Sequence, residues 1–276
     1  MRIGDVLQFL ERLAPVVLAE DWDNVGLLVG DRDVLVKRIM TCLTLTDQTV
    51  AEAIQRKVQL VVTHHPLPFR PQTRLTTDHT PGRLLWRLMN AGVSVASFHT
   101  AYDSAAQGIN QQWAEALQLT DVEPLREVLG HAGGSAGKLV GTGRFGLLTQ
   151  QLPLHELARR AARLSGARAC QVVRGASEPV KRVAIGCGSA SELIADAVRI
   201  DCQVMITGEA SFHACLEAQA QGLALILVGH YPSERLGIER LASDLHAEFA
   251  ELEVWASEAE RDPLEWVAVE SVISGA

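Results

Sequence analysis

Short apolar runs rich in β-branched residues alternate along the chain with amphipathic stretches of about a dozen residues, and this switching of period restricts the fold more than any other feature. Residues 5–14 read as a helix that Asp5 can cap. VKRIMTCLTLT (36–46) reads as a strand, TVAEAIQRKV (49–58) as a helix and QLVVTHHP (59–66) as a short buried strand. PGRLLWRLMNAG (81–92) opens with Pro and closes with Gly, as helices do. VSVASFH (93–99) is then a strand and GINQQWAEALQL (108–119) a helix. Parallel neighbours need a crossover connection, so this order predicts an α/β fold with a mostly parallel or mixed sheet.

Glycines crowd together over 130–146, and the next strand is expected to begin near Lys138. A second set follows: LPLHELARRAARLSG (helix), RACQVVRG and KRVAIGCG (strands), ASELIADAVRI (helix), CQVMITG (strand), FHACLEAQAQG (helix) and LALILVG (strand). A helix over 234–250 and a strand-like VWASE end the pattern. Two α/β lobes are therefore expected, 1–125 and 126–276, the first completed by the C-terminal segment.

With 276 residues, 47% hydrophobic and 21% charged, the composition is that of a soluble globular protein. No apolar run approaches the length of a membrane span. The opening MRIGDVLQFLERLAP carries Asp and Glu and reads as a helix, not a signal peptide, which points to the cytoplasm. Cys42, Cys170, Cys187, Cys202 and Cys215 are scattered through apolar surroundings without a CxxC pair, the pattern of reduced core thiols. A net charge of −8 argues against a surface made for nucleic acid, but not against a small phosphorylated substrate held by metal.

Three strand ends carry metal-ligating chemistry. In THHP (63–66) two histidines end a buried strand, where ligands of open α/β sheets collect. A regular strand would send the rings to opposite faces, but Pro66 breaks it and lets both turn into a cleft. In SFHTAYDS (97–104), Asp103 can offer one oxygen to each of two cations, and His99 is a ligand or a group that orients one. In VGHYPSERLGIERL (228–241), His230 is expected just before a helix and Glu234 in its first turn. Taken singly, each has a plainer reading: chance histidines, a turn-forming Asp, a capping Glu. Together, three histidines and two carboxylates suit a pair of divalent ions.

Other segments carry weaker signals. AGGSAGKL (132–139) lacks the first Gly and the Ser or Thr of a phosphate loop, and reads as a turn. GCGSASELI (186–194) is a tight turn or an anion cradle. Glu209 and His213 in TGEASFH line the cleft or cap the next helix, the latter being the simpler reading. His79, His131, His155 and His246 read as solvated, and Cys187 has no evident base.

With these residues in view, the chain resembles the GTP cyclohydrolase I type 2 homologues, also called Nif-three-like proteins. The resemblance rests on DWDNVGLLVGD (21–31), VVTHHPLPF (61–69), SFHTAYDSAAQGIN (97–110), GTGRFG (141–146), TGEASFH (207–213) and GHYPSERLGIERL (229–241), in family order. It implies a two-lobed α/β fold, ring-shaped homohexamers, and a dinuclear metal site in the cleft between lobes. It also implies that His64, His65, Asp103, His230 and Glu234 are the ligands. DWDNVG has no assigned ligand role, its Asn24 and Gly26 shaping a loop near the cleft. Arg70, Arg74 and Arg144 are the candidates for holding phosphate.

The function expected is a metal-dependent hydrolase, with two ions roughly 3.5–4 Å apart acidifying a water and Glu209 a candidate proton carrier. Its substrate would be a nucleotide-like, cyclic-amide or phosphoester small molecule. The alternative is a non-enzymatic metal-binding scaffold or adaptor. Imidazole and carboxylate ligands without thiolate suit zinc, manganese, iron or cobalt.

Overall fold

The computed structural model describes residues 1–128 and 140–267. AGGSAGKL, with Lys138, and His131 lie outside the described residues.

Helix α1 (Ile3–Leu13) forms because Ile3, Val6, Leu7 and Leu10 recur at helical spacing and bury one face. Asp5 accepts a bond from the Arg2 amide at 2.7 Å, so it is the third-position partner of a capping box, not the cap itself. There follow β1 (Gly26–Val29), β2 (Arg38–Cys42), α2 (Asp47–Gln55), β3 (Leu60–Thr63), α3 (Thr80–Asn90), β4 (Ser94–Ser97), α4 (His99–Ser104) and α5 (Ile109–Ala116). Strands β2, β3 and β4 run parallel, linked through α2 and α3. Every residue of β3 and β4 is buried, as strands covered on both faces must be. Strand β1, which the periodicity does not mark, pairs antiparallel with β4 at the edge.

The second half contributes β5 (Thr120–Glu123), β6 (Arg126–Glu127), β7 (Gly141–Thr142), β8 (Arg144–Leu152), α6 (Leu154–Ser165), β9 (Gln171–Val173) and β10 (Val180–Gly186). Then come α7 (Ile194–Arg199), β11 (Val204–Thr207), α8 (Phe212–Ala220), β12 (Ala224–Leu227), α9 (His230–Glu248) and β13 (Glu253–Ala256). A six-stranded sheet has the order β5-β8-β10-β11-β12-β9, with β10, β11 and β12 parallel and the outer strands antiparallel. Strand β13 returns to the first sheet and pairs parallel with β2, giving β1-β4-β3-β2-β13. The fold is thus α/β with mixed sheets.

One apolar cluster runs from Ile3 and Leu60 through Trp113 to Ile206 and Leu245, so the two sheets share a core. Helix α9 is tied to the first half at three points. Thr41 Oγ1 donates to the Ile238 carbonyl at 3.0 Å, Trp113 Nε1 to that of Ser233 at 2.7 Å, and the Tyr102 hydroxyl to that of Gly237 at 3.2 Å. Beyond β13 the chain is pinned by two buried carboxylates. Glu52 accepts from Trp255 Nε1, Ser257 Oγ and the amides of Glu258 and Ala259. Glu260 accepts from the amides of Leu43 and Thr44 and from Arg235. Among the described residues, no helix is long and apolar enough to cross a membrane.

Candidate metal centre

The C-terminal ends of β3, β4, β10 and β12 deliver side chains to one place. After β3 the backbone keeps its register, His64 and His65 amides bonding the Cys42 and Leu43 carbonyls at 2.9 and 2.8 Å. Both rings nevertheless turn their Nε2 atoms toward Glu234, His65 from the cleft wall and His64 from beneath it, their centroids 5.1 Å apart and tilted by 55°. His230 is the first residue of α9 rather than preceding it, and Glu234 lies one turn on. The i, i+4 spacing puts both on one face.

Glu234 stands at the middle. Its Oε2 lies 3.3 Å from His65 Nε2 and 3.2 Å from His230 Nε2, and those two nitrogens are 3.4 Å apart. Its Oε1 faces His64 Nε2 at 3.8 Å, and Asp103 Oδ1 approaches the same nitrogen at 3.7 Å. Despite this crowding, Glu234 Oε2 and both ring nitrogens of His64 are buried without a well-aligned hydrogen bond. Buried polar atoms are seldom left so, and a cation would account for Glu234 Oε2 and His64 Nε2, the one lone pair of that imidazole being the one turned to the carboxylates. Three donors about 3.3 Å apart also match the edge of a tetrahedron around an ion bound at roughly 2.0–2.1 Å, which is about 3.4 Å.

The charges crowded here shift one another. Burial alone would raise the Glu234 carboxyl, but His230, His64 and His65 override it and hold it well below the ordinary carboxylate range. His230 rises to about 9, chiefly through its bond to Glu234. Burial pushes His65 down, leaving its imidazole neutral with a lone pair to donate. Burial raises Asp103.

The imidazoles of His65 and His230 are each held from the other nitrogen. Thr44 Oγ1 is 2.7 Å from His65 Nδ1, and Glu209 Oε1 is 3.0 Å from His230 Nδ1. Glu209 therefore orients His230, while Ser211 caps α8 by accepting from the Ala214 amide. His213 is exposed and does not line the cleft. His99 stacks edge-on at 4.9 Å from His64 and 5.4 Å from His65, and its Nδ1 is 3.0 Å from Asp23 Oδ1. Asp23 is locked further by the Thr100 amide and hydroxyl, and its carboxyl falls to about 2 because these bonds and His99 outweigh burial. Among the described residues, two groups could hold an ion: His65, His230 and Glu234, and His64, His65 and His99.

The cleft around these groups holds about 530 Å³. Trp22, 59% exposed, forms part of its wall beside His99 and Phe69. The turn after β10 is a tight turn whose role is clearance: α7 has only six residues, and Gly188 passes against Glu234. The thiol of Cys187 donates to Asp103 Oδ1 at 3.2 Å and is pushed far up by burial and that carboxylate, which suits a donor and not a nucleophile. Arg144 does not serve phosphate. It is fully buried, with its guanidinium on the carbonyls of Gly141, Gly143 and Ala105. Arg70 and Arg74 are exposed away from the cleft lining. Asp23, Trp22, Thr44 and Gly188 carry roles that the spacing of ligands does not reveal. For Asp23 and Trp22 the only sequence signal is the acidic-aromatic DWDN run itself.

This geometry can be compared with known proteins. Residues 1–263 match the family model described as Duf34/NIF3 (NGG1p interacting factor 3). The chain belongs to the Duf34/NIF3 family. It is 28% identical over 273 residues to the GTP cyclohydrolase 1 type 2 homolog of Clostridium perfringens, covering 97% of this chain and 100% of that one. It is 33% identical over 277 residues to the protein of the same name from Streptomyces coelicolor, covering 97% and 94%. The crystal structure of the Bacillus cereus protein related to NIF3 superposes with a TM-score of 0.86 at 20% identity, over 97% of this chain and 99% of that one. That likeness shows the Duf34/NIF3 fold.

Proposed function

We propose that this Duf34/NIF3 protein is a dinuclear metal-dependent hydrolase acting on a nucleotide-like, cyclic-amide or phosphoester small molecule. The observation that carries the reading is the division of labour at Glu234, with Oε2 facing His65 and His230 and Oε1 facing His64. Such a carboxylate can serve two cations at once, with His65 and His230 completing one ligand set and His64 and Asp103 the other. Zinc, manganese, iron and cobalt all accept these donors. When bound, paired divalent ions supply Lewis acidity and lower the pKa of coordinated water.

The chain's own residues provide the rest. Asp23 accepts from His99 Nδ1, which fixes the tautomer and leaves His99 Nε2 able to accept a proton in the cleft. Glu209 and Thr44 hold the rings of His230 and His65 in place for ligation. Trp22 offers an apolar wall for a planar group on one side of the cleft. The homohexameric ring implied by the resemblance is part of the same proposal, and light scattering on the native protein tests it.

Elemental analysis of protein purified without chelators, joined to a screen of nucleotides, cyclic amides and phosphoesters, is the experiment that decides. Two equivalents of metal and turnover are expected, with both lost in His64→Ala and Glu234→Ala. Turnover surviving in metal-free protein overturns the mechanism.

A further inference from the structure

A second cavity of about 530 Å³ borders the same two imidazoles from their Nδ1 side. His65 and His230 line it, and so do Thr44 and Glu209, the groups bonded to those Nδ1 atoms. Asp103, His99 and Glu234 belong to the first cleft and not to this one. The two chambers are thus divided by the metal-binding rings, and the second touches the groups that aim those rings.

Its chemistry differs from that of the cleft. Leu43, Tyr231, Pro263 and Leu264 give it walls of carbon. Its charges are mostly engaged elsewhere. Glu260 is occupied by Leu43, Thr44 and Arg235, and Arg261 turns Nη1 onto the carbonyls of Glu258 and Glu260. The other carboxylates at its border are Glu209, whose side chain is 54% exposed and whose Oε1 meets His230 Nδ1, and Asp262, whose Oδ1 accepts from the Leu264 amide. An apolar chamber bordered by accessible carboxylates suits a molecule with an apolar body and one positive end.

We propose that this second cavity binds a small apolar cation, and that its occupancy loosens the hold on metal at His65 and His230. The coupling rests on the metal reading above. A cation drawn to Glu209 competes with His230 Nδ1 for the same carboxylate, and an imidazole released from its orienting partner ligates less well. By linkage, metal at His230 must oppose the cation by the same factor.

Benzamidine is a suitable probe, with benzoate and benzyl alcohol as controls for charge, titrated calorimetrically into the full chain loaded with zinc. Benzamidine is expected to bind one per chain, at least about tenfold more tightly than benzoate. Leu264→Ala, at a side chain 70% exposed and so tolerated by the fold, should weaken it, as should Glu209→Gln. Zinc affinity, read by chelator competition, should fall about tenfold in saturating benzamidine. Absence of binding, equal binding of benzoate, or undiminished binding in both variants overturns the site. Unchanged zinc affinity with benzamidine bound overturns the coupling. A chain that holds no zinc at all sinks the metal reading instead, and benzamidine binding to that zinc-free chain still decides the cavity. Turnover is not read in any arm, so failure to find a substrate leaves the test intact.

Discussion

Gly188 and Glu234 are packed so closely that a β-carbon at position 188 would lie 2.2 Å from Glu234 Oε1. Gly188 also has φ +63°, a conformation that costs other residues of order 1 kcal/mol. Gly188→Ala must therefore push the carboxylate off its position between the histidines. The chain should still fold, with stability reduced by only about 1–2 kcal/mol, while metal content measured on the purified variant drops sharply. Full metal loading in that variant would show that the carboxylate has room to retreat.

Thr44 is the partner of His65 Nδ1, at 2.7 Å. Thr44→Val keeps the shape and removes the hydroxyl. Loss of a partner that orients a ligand typically weakens metal binding about 10–100-fold. Chelator competition should find a change of that order with the melting temperature of the metal-free chain little altered.

Glu52 holds the end of β13 and the segment after it through bonds from Trp255, Ser257, Glu258 and Ala259. Burial raises its carboxyl, but these bonds outweigh burial and leave it below the ordinary value of 4.5. A lowered carboxylate stabilises the fold fully above its unfolded pKa, and that stabilisation is lost as the pH falls through the folded one. Urea unfolding should thus show stability falling below about pH 4.5, with a smaller fall in Glu52→Gln. At neutral pH that variant should be less stable by about 1–3 kcal/mol. An identical acid profile in the variant would assign the loss to other carboxylates.

Arg144 supplies buried donors to the carbonyls of Gly141, Gly143 and Ala105, and burial lowers its pKa only to about 10, so it is charged at neutral pH. Arg144→Leu strands those carbonyls and should cost about 3 kcal/mol or more by denaturant unfolding. Affinity for inorganic phosphate should not change. A selective loss of phosphate affinity in a stable variant would restore Arg144 to the cleft.

The parallel strands were readable because strands buried on both faces become continuous apolar runs, as in LVVT and VMIT, bounded by helices of helical period. Strand β1 was not, since its four residues are only half buried at an edge and lack a distinct pattern. Family membership followed from motifs spread over most of the chain. At the site, the sequence places His230 just before a helix and Glu234 in its first turn, and only the backbone shows that His230 itself opens α9. Thr44, Asp23 and Gly188 were invisible because their roles arise from contacts across long separations, 21 residues for Thr44 and His65 and 76 for Asp23 and His99. Arg144 misled because an arginine after a glycine turn reads alike whether it faces anions or carbonyls.

Strand β13 has a consequence for how the molecule is made. It lies beside β2, more than two hundred positions earlier in the chain, and nothing else in the first sheet covers that side of β2. During synthesis the backbone groups of Arg38–Cys42 that face away from β3 must wait unpaired while the whole second sheet emerges, and they are satisfied only after residue 256 leaves the ribosome. A nascent chain halted before that point carries an open strand edge, so aggregation of stalled or truncated products, and its suppression by chaperones that shield such edges, should track the release of this one segment.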